Sequence, residues 1–452
     1  MTGNAELSLL KHALEQLQAG FSDLPEAEAR IERKAITEVL AAVATRLHDN
    51  YPYFHPLYAG QMLKPPHPIA RLAYELALQI NPNNHALDGG RASSAMEKEA
   101  VADLARMIGW GDTHLGHLCS GGTMANLEAL WVAGQLHPGK VVLASTQAHY
   151  THSRLAGVLG LAFETVECDR RGRMDAHALE RRLAAGGVGT VVATMGTTAT
   201  GAVDPLAAIV DLRRGGRYDF RIHADAAYGG YFLLADNLED QTRRAFECLR
   251  EAASVVIDPH KHGLQPYGCG SVLFHDPSVG RLYRHDSPYT YYTSSDLHLG
   301  EITLECSRPG AAAVALWATQ RLFPLERGGA FAQGLADGRA AALDLHQRIV
   351  ADRRLVAGPA PELDIIVWAP RAARVSDASA LSRRVFDEAA RRNLHLALVS
   401  LPLHLVDVQN MQRDRETIIC LRSVLMKPEH RQWVDRIWSI LDAATHAAVG
   451  DH

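Results

Sequence analysis

Lys261 stands between His260 and His262 in the stretch SVVIDPHKHGLQPYGCG, residues 254–270, shortly after three apolar β-formers and an aspartate. An amine at a strand end, followed by a glycine-containing turn, is placed to form an imine with an aldehyde. Taken alone, a lysine there reads first as a solvated charge at a strand terminus, so the rest of the chain has to decide. CSGGTMANLEAL sets Ser120, Gly121, Gly122 and Thr123 just before a helical pattern, where unhindered N–H groups and the positive helix end can meet an anion. The same letters also describe a simple glycine-containing N-cap. HADAAYGG ends a strand run with Asp225, GTTATGAVDP offers the hydroxyls of Thr197 and Thr198, and STQAHYTHSRLAG places His149 in a similar position.

Read together, an anion cradle, a carboxylate, a flat histidine ring and an amine meet the needs of pyridoxal 5'-phosphate. Its aldehyde takes the amine, its phosphate takes the N–H groups, and a carboxylate keeps its ring nitrogen protonated so that the ring can accept an electron pair.

These groups must be carried by an alternating framework. KVVLAST, FETVE, TVVATMG, FRIHADAA, SVVIDP and GSVLF read as short strands, with TMANLEALWVAGQL, AHALERRLAA and PLAAIVDLRR as helices between them. Alternation of this kind predicts an α/β domain with a mostly parallel central sheet, whose ligands sit beyond the carboxyl ends of the strands. Before it, residues 1–67 predict an N-terminal helical arm of two helices and the proline- and aromatic-rich YPYFHPLYAGQMLKPPHP, lying across another surface. The large domain spans 68–330. A restart of the pattern, through LDIIVWAP and TIICLRSVLM to the final helix, predicts a small α+β C-terminal domain over 331–452.

The chain has 452 residues and a formal charge of −5, with both signs interspersed and no basic face for nucleic acid. Its six cysteines are dispersed without a CxxC pair, which suits reduced thiols and a cytoplasmic setting. No run of eighteen apolar residues and no signal-peptide pattern predicts membrane contact. The histidines of HYTH and PHKH lack third and fourth ligands at zinc spacing, so no metal is expected. No GxGxxG follows a strand run, which argues against a nicotinamide cofactor.

SGGTMANLEAL, AHYTHSRLAG, GTTATGAVDP, HADAAYGGY and DPHKHGLQPYGCG occur in the order seen in the group II pyridoxal-phosphate-dependent amino acid decarboxylases, and the chain resembles that family from about Pro52 to Met426. The resemblance implies fold type I, the aspartate aminotransferase-like architecture, and a homodimer. It implies decarboxylation of a small-molecule L-amino acid to its amine, through a Schiff base on Lys261 and a quinonoid intermediate. By motif, His260 resembles the residue beside the phosphate, Asp225 the partner of the ring nitrogen, His149 the stacking histidine and Ala227 the residue covering the opposite ring face. Gly121, Gly122 and Thr123 resemble phosphate contacts, and Thr198 the threonine near the cofactor's polar edge.

DSPYTYYTSSDLHLG falls where relatives carry a mobile catalytic loop, which makes Tyr289 the candidate proton donor, with Tyr291 and Tyr292 close by. Arg422 resembles a family arginine and has two readings, a carboxylate contact or an ordinary surface salt bridge. His262 and Met124 depart from residues common in the family, which leaves the substrate open. Aldehyde synthase, aminotransferase and carbon–carbon lyase chemistry use the same scaffold, so fold alone does not choose among them. A non-catalytic binder of the cofactor would need neither Lys261 nor Asp225.

Overall fold

Seven strands make the larger sheet of the computed structural model, which describes residues 3–25, 32–283 and 298–450. In chain order they are β1 (Leu115–Cys119), β2 (Val141–Ser145), β3 (Phe163–Val166), β4 (Val188–Thr194), β5 (Arg221–Asp225), β6 (Ser254–Ile257) and β7 (Gly270–Phe274). Across the sheet the order is β1-β7-β6-β5-β4-β2-β3. The strands from β6 to β3 pair in parallel, and β7 runs antiparallel to both β6 and β1.

Every residue of β4, β6 and β7 is buried, as expected where helices cover both faces and no side of the strand meets water. That explains why these strands read as continuous apolar runs rather than alternating ones. The helix Gly122–Leu136 packs on β6 and β7, and Arg91–Met107 packs on β1 and β7. The chain leaves β2 for β3 on one side and leaves β4 for β5 on the other, so a crevice opens at the carboxyl ends of β2 and β4.

A second sheet contains β8 (Leu355–Ala357), β9 (Ile365–Pro370), β10 (Ala397–Pro402) and β11 (Thr417–Val424), all antiparallel in the order β10-β11-β9-β8. The helices Ala330–Ala351 and Val375–Arg391 pack on it, and His430–Val449 packs on both of these helices. Their shared apolar core includes Leu345, Trp368, Leu421 and Ile437.

Residues 51–67 are fastened to this smaller unit. Ala59 N–H donates to His395 O at 2.9 Å, Val424 N–H donates to Ala59 O at 2.8 Å, and Lys427 Nζ donates to Tyr58 O at 2.7 Å. In contrast, the helices Asn4–Ala19 and Arg33–Leu47 bury no residue at all. Among the described residues no helix is long and apolar enough to cross a membrane.

Candidate active site

A cavity of about 310 Å³ lies at that crevice, and each wall comes from the end of a strand. The loop after β1 brings Gly121, Gly122 and Thr123; the loop after β2 brings His149; the segment after β4 brings Thr198. Asp225 closes β5, Ala227 follows it, and the turn after β6 carries His260 and Lys261. Nine of the residues singled out from the sequence therefore line one space. Tyr289, Tyr291 and Tyr292 lie outside the described residues.

At the cradle, Gly121 is the N-cap of the helix Gly122–Leu136 and supplies no side-chain cap. The first-turn N–H groups, which have no intrahelical acceptor, are thus left for an anion. Glycine at 122 is required by close approach, because a Cβ there would stand 2.6 Å from Asp258 Oδ2. Asp258 is buried, and its Oδ2 lies 3.2 Å from Lys261 Nζ and 3.5 Å from His260 Nε2. Its Oδ1 has no partner among the described residues.

Hydrogen bonding settles the histidine tautomers. His260 Nδ1 donates to Cys269 O at 2.8 Å, and burial lowers its pKa. His149 Nδ1 accepts from Thr151 N–H at 3.3 Å and meets Thr151 Oγ1 at 2.8 Å, so Nε2 carries the hydrogen of the neutral ring. Burial lowers the pKa of this ring as well.

Asp225 accepts from Ala227 N–H at 3.2 Å on Oδ1 and from His152 Nε2 at 2.8 Å on Oδ2. Burial alone would push its carboxyl up, but the hydrogen bond and charge of His152, with Lys261 nearby, hold it well below the usual carboxylate range. An ionised carboxylate, uncapped N–H groups, a half-buried neutral ring and an amine converge on one cavity. That donor and acceptor set fits a phosphorylated pyridine aldehyde.

Several residues of this neighbourhood were not singled out as site residues from the sequence. His152, which HYTH offers only as a metal-ligand candidate beside His149, faces Asp225 instead. Asp258 directly precedes PHK and Tyr228 lies inside HADAAYGG, and neither carries a local signal of a role at the site. Arg422 is not a surface residue: it is 5% exposed, donates from Nη2 to Gln61 Oε1 at 2.9 Å, and leaves Nε buried without a partner among the described residues. No sequence signal joins Gln61 to Arg422, since the fold brings them together from the arm and β11.

Residues 11–354 match the family model described as the pyridoxal-dependent decarboxylase conserved domain. The chain is 30% identical to an L-tyrosine decarboxylase of Enterococcus faecium, over 65% of this chain and 64% of that protein. It is 32% identical to a probable L-aspartate decarboxylase of Halobacterium salinarum, over 59% of this chain and 71% of that one. It spans less than two thirds of the length of the E. faecium protein and 56% of a similar L-tyrosine decarboxylase of Levilactobacillus brevis. The crystal structure of mouse CSAD superposes with a TM-score of 0.78 at 20% identity, covering 98% of this chain and 99% of that one, and so shares its fold.

Proposed function

The chain belongs to the pyridoxal-dependent decarboxylase family, and on that premise we propose that it converts an L-amino acid to the corresponding amine and carbon dioxide. One observation carries the reading: the Lys261 amine and the Asp225 carboxylate, which a passive binder would not need together, line the same cavity. When bound, pyridoxal phosphate supplies an electron-poor ring that takes up the electron pair left as carbon dioxide departs.

In this reading the chain's own residues divide the work. Gly121, Gly122 and Thr123 hold the phosphate with backbone N–H groups, and His260 stands beside it. His149 covers one face of the ring and Ala227 the other. Asp225 keeps a proton on the ring nitrogen, Thr198 meets the polar edge, and Lys261 supplies the amine. Asp258, 3.2 Å from Nζ, holds that amine at the cavity. Arg422, buried near Tyr228 with no carboxylate partner among the described residues, offers its cation to an acidic group of the substrate. Tyr289 is assigned the return of a proton to Cα, with Tyr291 and Tyr292 as neighbours able to take its place.

The same reading makes the enzyme a homodimer. On the helix Arg33–Leu47, Ile36, Val39, Leu40, Val43 and Leu47 repeat at helical spacing and are all exposed, a stripe that a second copy would cover. The dispersed cysteines support a cytoplasmic setting.

The test is a panel of L-amino acids, including tyrosine, aspartate and cysteine sulfinate, given to protein incubated with pyridoxal phosphate. Equimolar carbon dioxide and amine from one of them are expected, with a yellow protein whose imine absorbance is lost in Lys261→Ala. Aldehyde and ammonia in place of the amine would move the assignment to an aldehyde synthase. A colourless wild type would remove the cofactor.

A further inference from the structure

Asp225 is gripped by a group that the reaction above leaves without a part. The helix Thr151–Leu159 begins shortly after β2, and its second residue, His152, is fully buried with Nε2 2.8 Å from Asp225 Oδ2. Because a carboxylate only accepts, Nε2 must carry the hydrogen. Across the ring, Nδ1 is buried with no partner among the described residues.

That asymmetry separates His152 from a histidine kept for packing. Its neighbour His223 satisfies both nitrogens, with Ser254 Oγ at 2.9 Å and Asn126 Oδ1 at 2.8 Å, and burial pushes its pKa down to about 3. The two rings meet edge to face with centroids 6.3 Å apart, so a neutral neighbour steadies the His152 ring without competing for its hydrogen. The other charged or titratable groups around the pair are Lys261 from the turn after β6 and His149 from the loop after β2. With His152 on Oδ2 and Ala227 N–H on Oδ1, the carboxylate is fixed from both oxygens, and its remaining lone pairs are left for the cavity it lines.

We propose that His152 is a positioning residue that holds Asp225 charged and oriented, and through it keeps the cofactor's ring nitrogen protonated; this rests on the pyridoxal phosphate reading above. His152 itself touches no reacting atom. Residues that orient a primary ligand in this way are worth on the order of 10- to 100-fold when removed.

The experiment loads wild type, His152→Phe, His152→Gln and Asp225→Asn with pyridoxal phosphate labelled with ¹⁵N in the ring, and follows the ¹⁵N chemical shift from pH 6 to 9. Phenylalanine keeps a flat ring against His223 and removes both nitrogens; should the core refuse it, as judged by circular dichroism, His152→Leu gives the same readout. Wild type is expected to hold the protonated shift throughout, and the phenylalanine variant to lose it within this range. Alongside, kcat should fall by about 10- to 100-fold with little change in KM. Glutamine, able to donate from Nε2, should recover most of the protonated signal.

A phenylalanine or leucine variant with the wild-type shift, while Asp225→Asn moves it, would overturn the role of His152 and leave the functional reading standing. Wild-type protein that takes up no labelled cofactor would overturn that reading instead.

Discussion

Replacing Asp364 by asparagine should make the protein more stable above neutral pH. Asp364 is buried behind the cavity, where Oδ1 accepts from Tyr228 Oη at 2.5 Å. Its Oδ2 faces His262 Nε2 at 3.4 Å without a hydrogen bond, and neither nitrogen of His262 has a hydrogen-bond partner among the described residues. Burial pushes the carboxyl from 3.8 up to about 6, only partly offset by the Tyr228 hydrogen bond and the charge of Lys64. At 1.36 kcal/mol per tenfold change in proton affinity, ionised Asp364 costs the fold about 3 kcal/mol at pH 8.

The direction follows from proton counting. Between pH 3.8 and 6 the folded state binds more protons here than the unfolded state, so stability from this group is full below 3.8 and lost as pH rises through 6. Asparagine has nearly the same shape, still accepts from Tyr228, and offers an N–H toward His262 Nε2. Urea unfolding of both proteins should therefore give a variant about 2–3 kcal/mol more stable at pH 8, with the gap closing toward zero near pH 4. An asparagine variant less stable than wild type at pH 8, or a gap that ignores pH, would refute the reasoning.

Asp225→Asn should keep part of its cofactor yet lose turnover on the order of 10²-fold or more, since an amide cannot hold the ring proton; near-wild-type turnover would remove Asp225 from that role. Tyr289→Phe should still consume substrate but form amine more slowly and raise the aldehyde fraction, as seen by product chromatography. If that defect appears only in Tyr291→Phe or Tyr292→Phe, the proton donor moves along the segment. Sedimentation should find a dimer that Val39→Asp shifts toward monomer with lower activity, whereas a fully active wild-type monomer at nanomolar concentration would show that the exposed stripe has another use.

Legibility in the sequence followed the physics of each element. Strands β4, β6 and β7 announce themselves because two covered faces demand largely apolar, β-branched runs, whereas β3 sits at the sheet edge with Glu164 and Thr165 exposed. β1 escapes notice because LGHLC carries a glycine and His117, whose ring is buried against Glu128 at 3.0 Å, a pairing that only the fold creates. β8 is three residues long, too short for any period to show. The cavity-lining residues were legible because each falls at a strand end within a local motif. Partners that join distant segments were not: His152 meets Asp225 across 73 residues, and Gln61 meets Arg422 across 361. HYTH also misleads through spacing. Three residues apart suggests one helix face, but His149 precedes the helix, so only His152 turns inward while His149 faces the cavity.

The antiparallel course of β7 has a mechanical consequence. Because β7 starts at the edge where β6 and β1 finish, Gly270 pairs with Cys119, and a Cβ on Gly270 would lie 2.5 Å from Gly121 Cα. The segment that bears the amine and the segment that would grasp the phosphate therefore touch backbone to backbone, like the two jaws of a calliper locked at one opening. With the two segments held against each other, little loop freedom is left to be frozen when a ligand enters. A bulkier residue at Gly270 would push the two segments apart while leaving every side chain of the cavity in the chain.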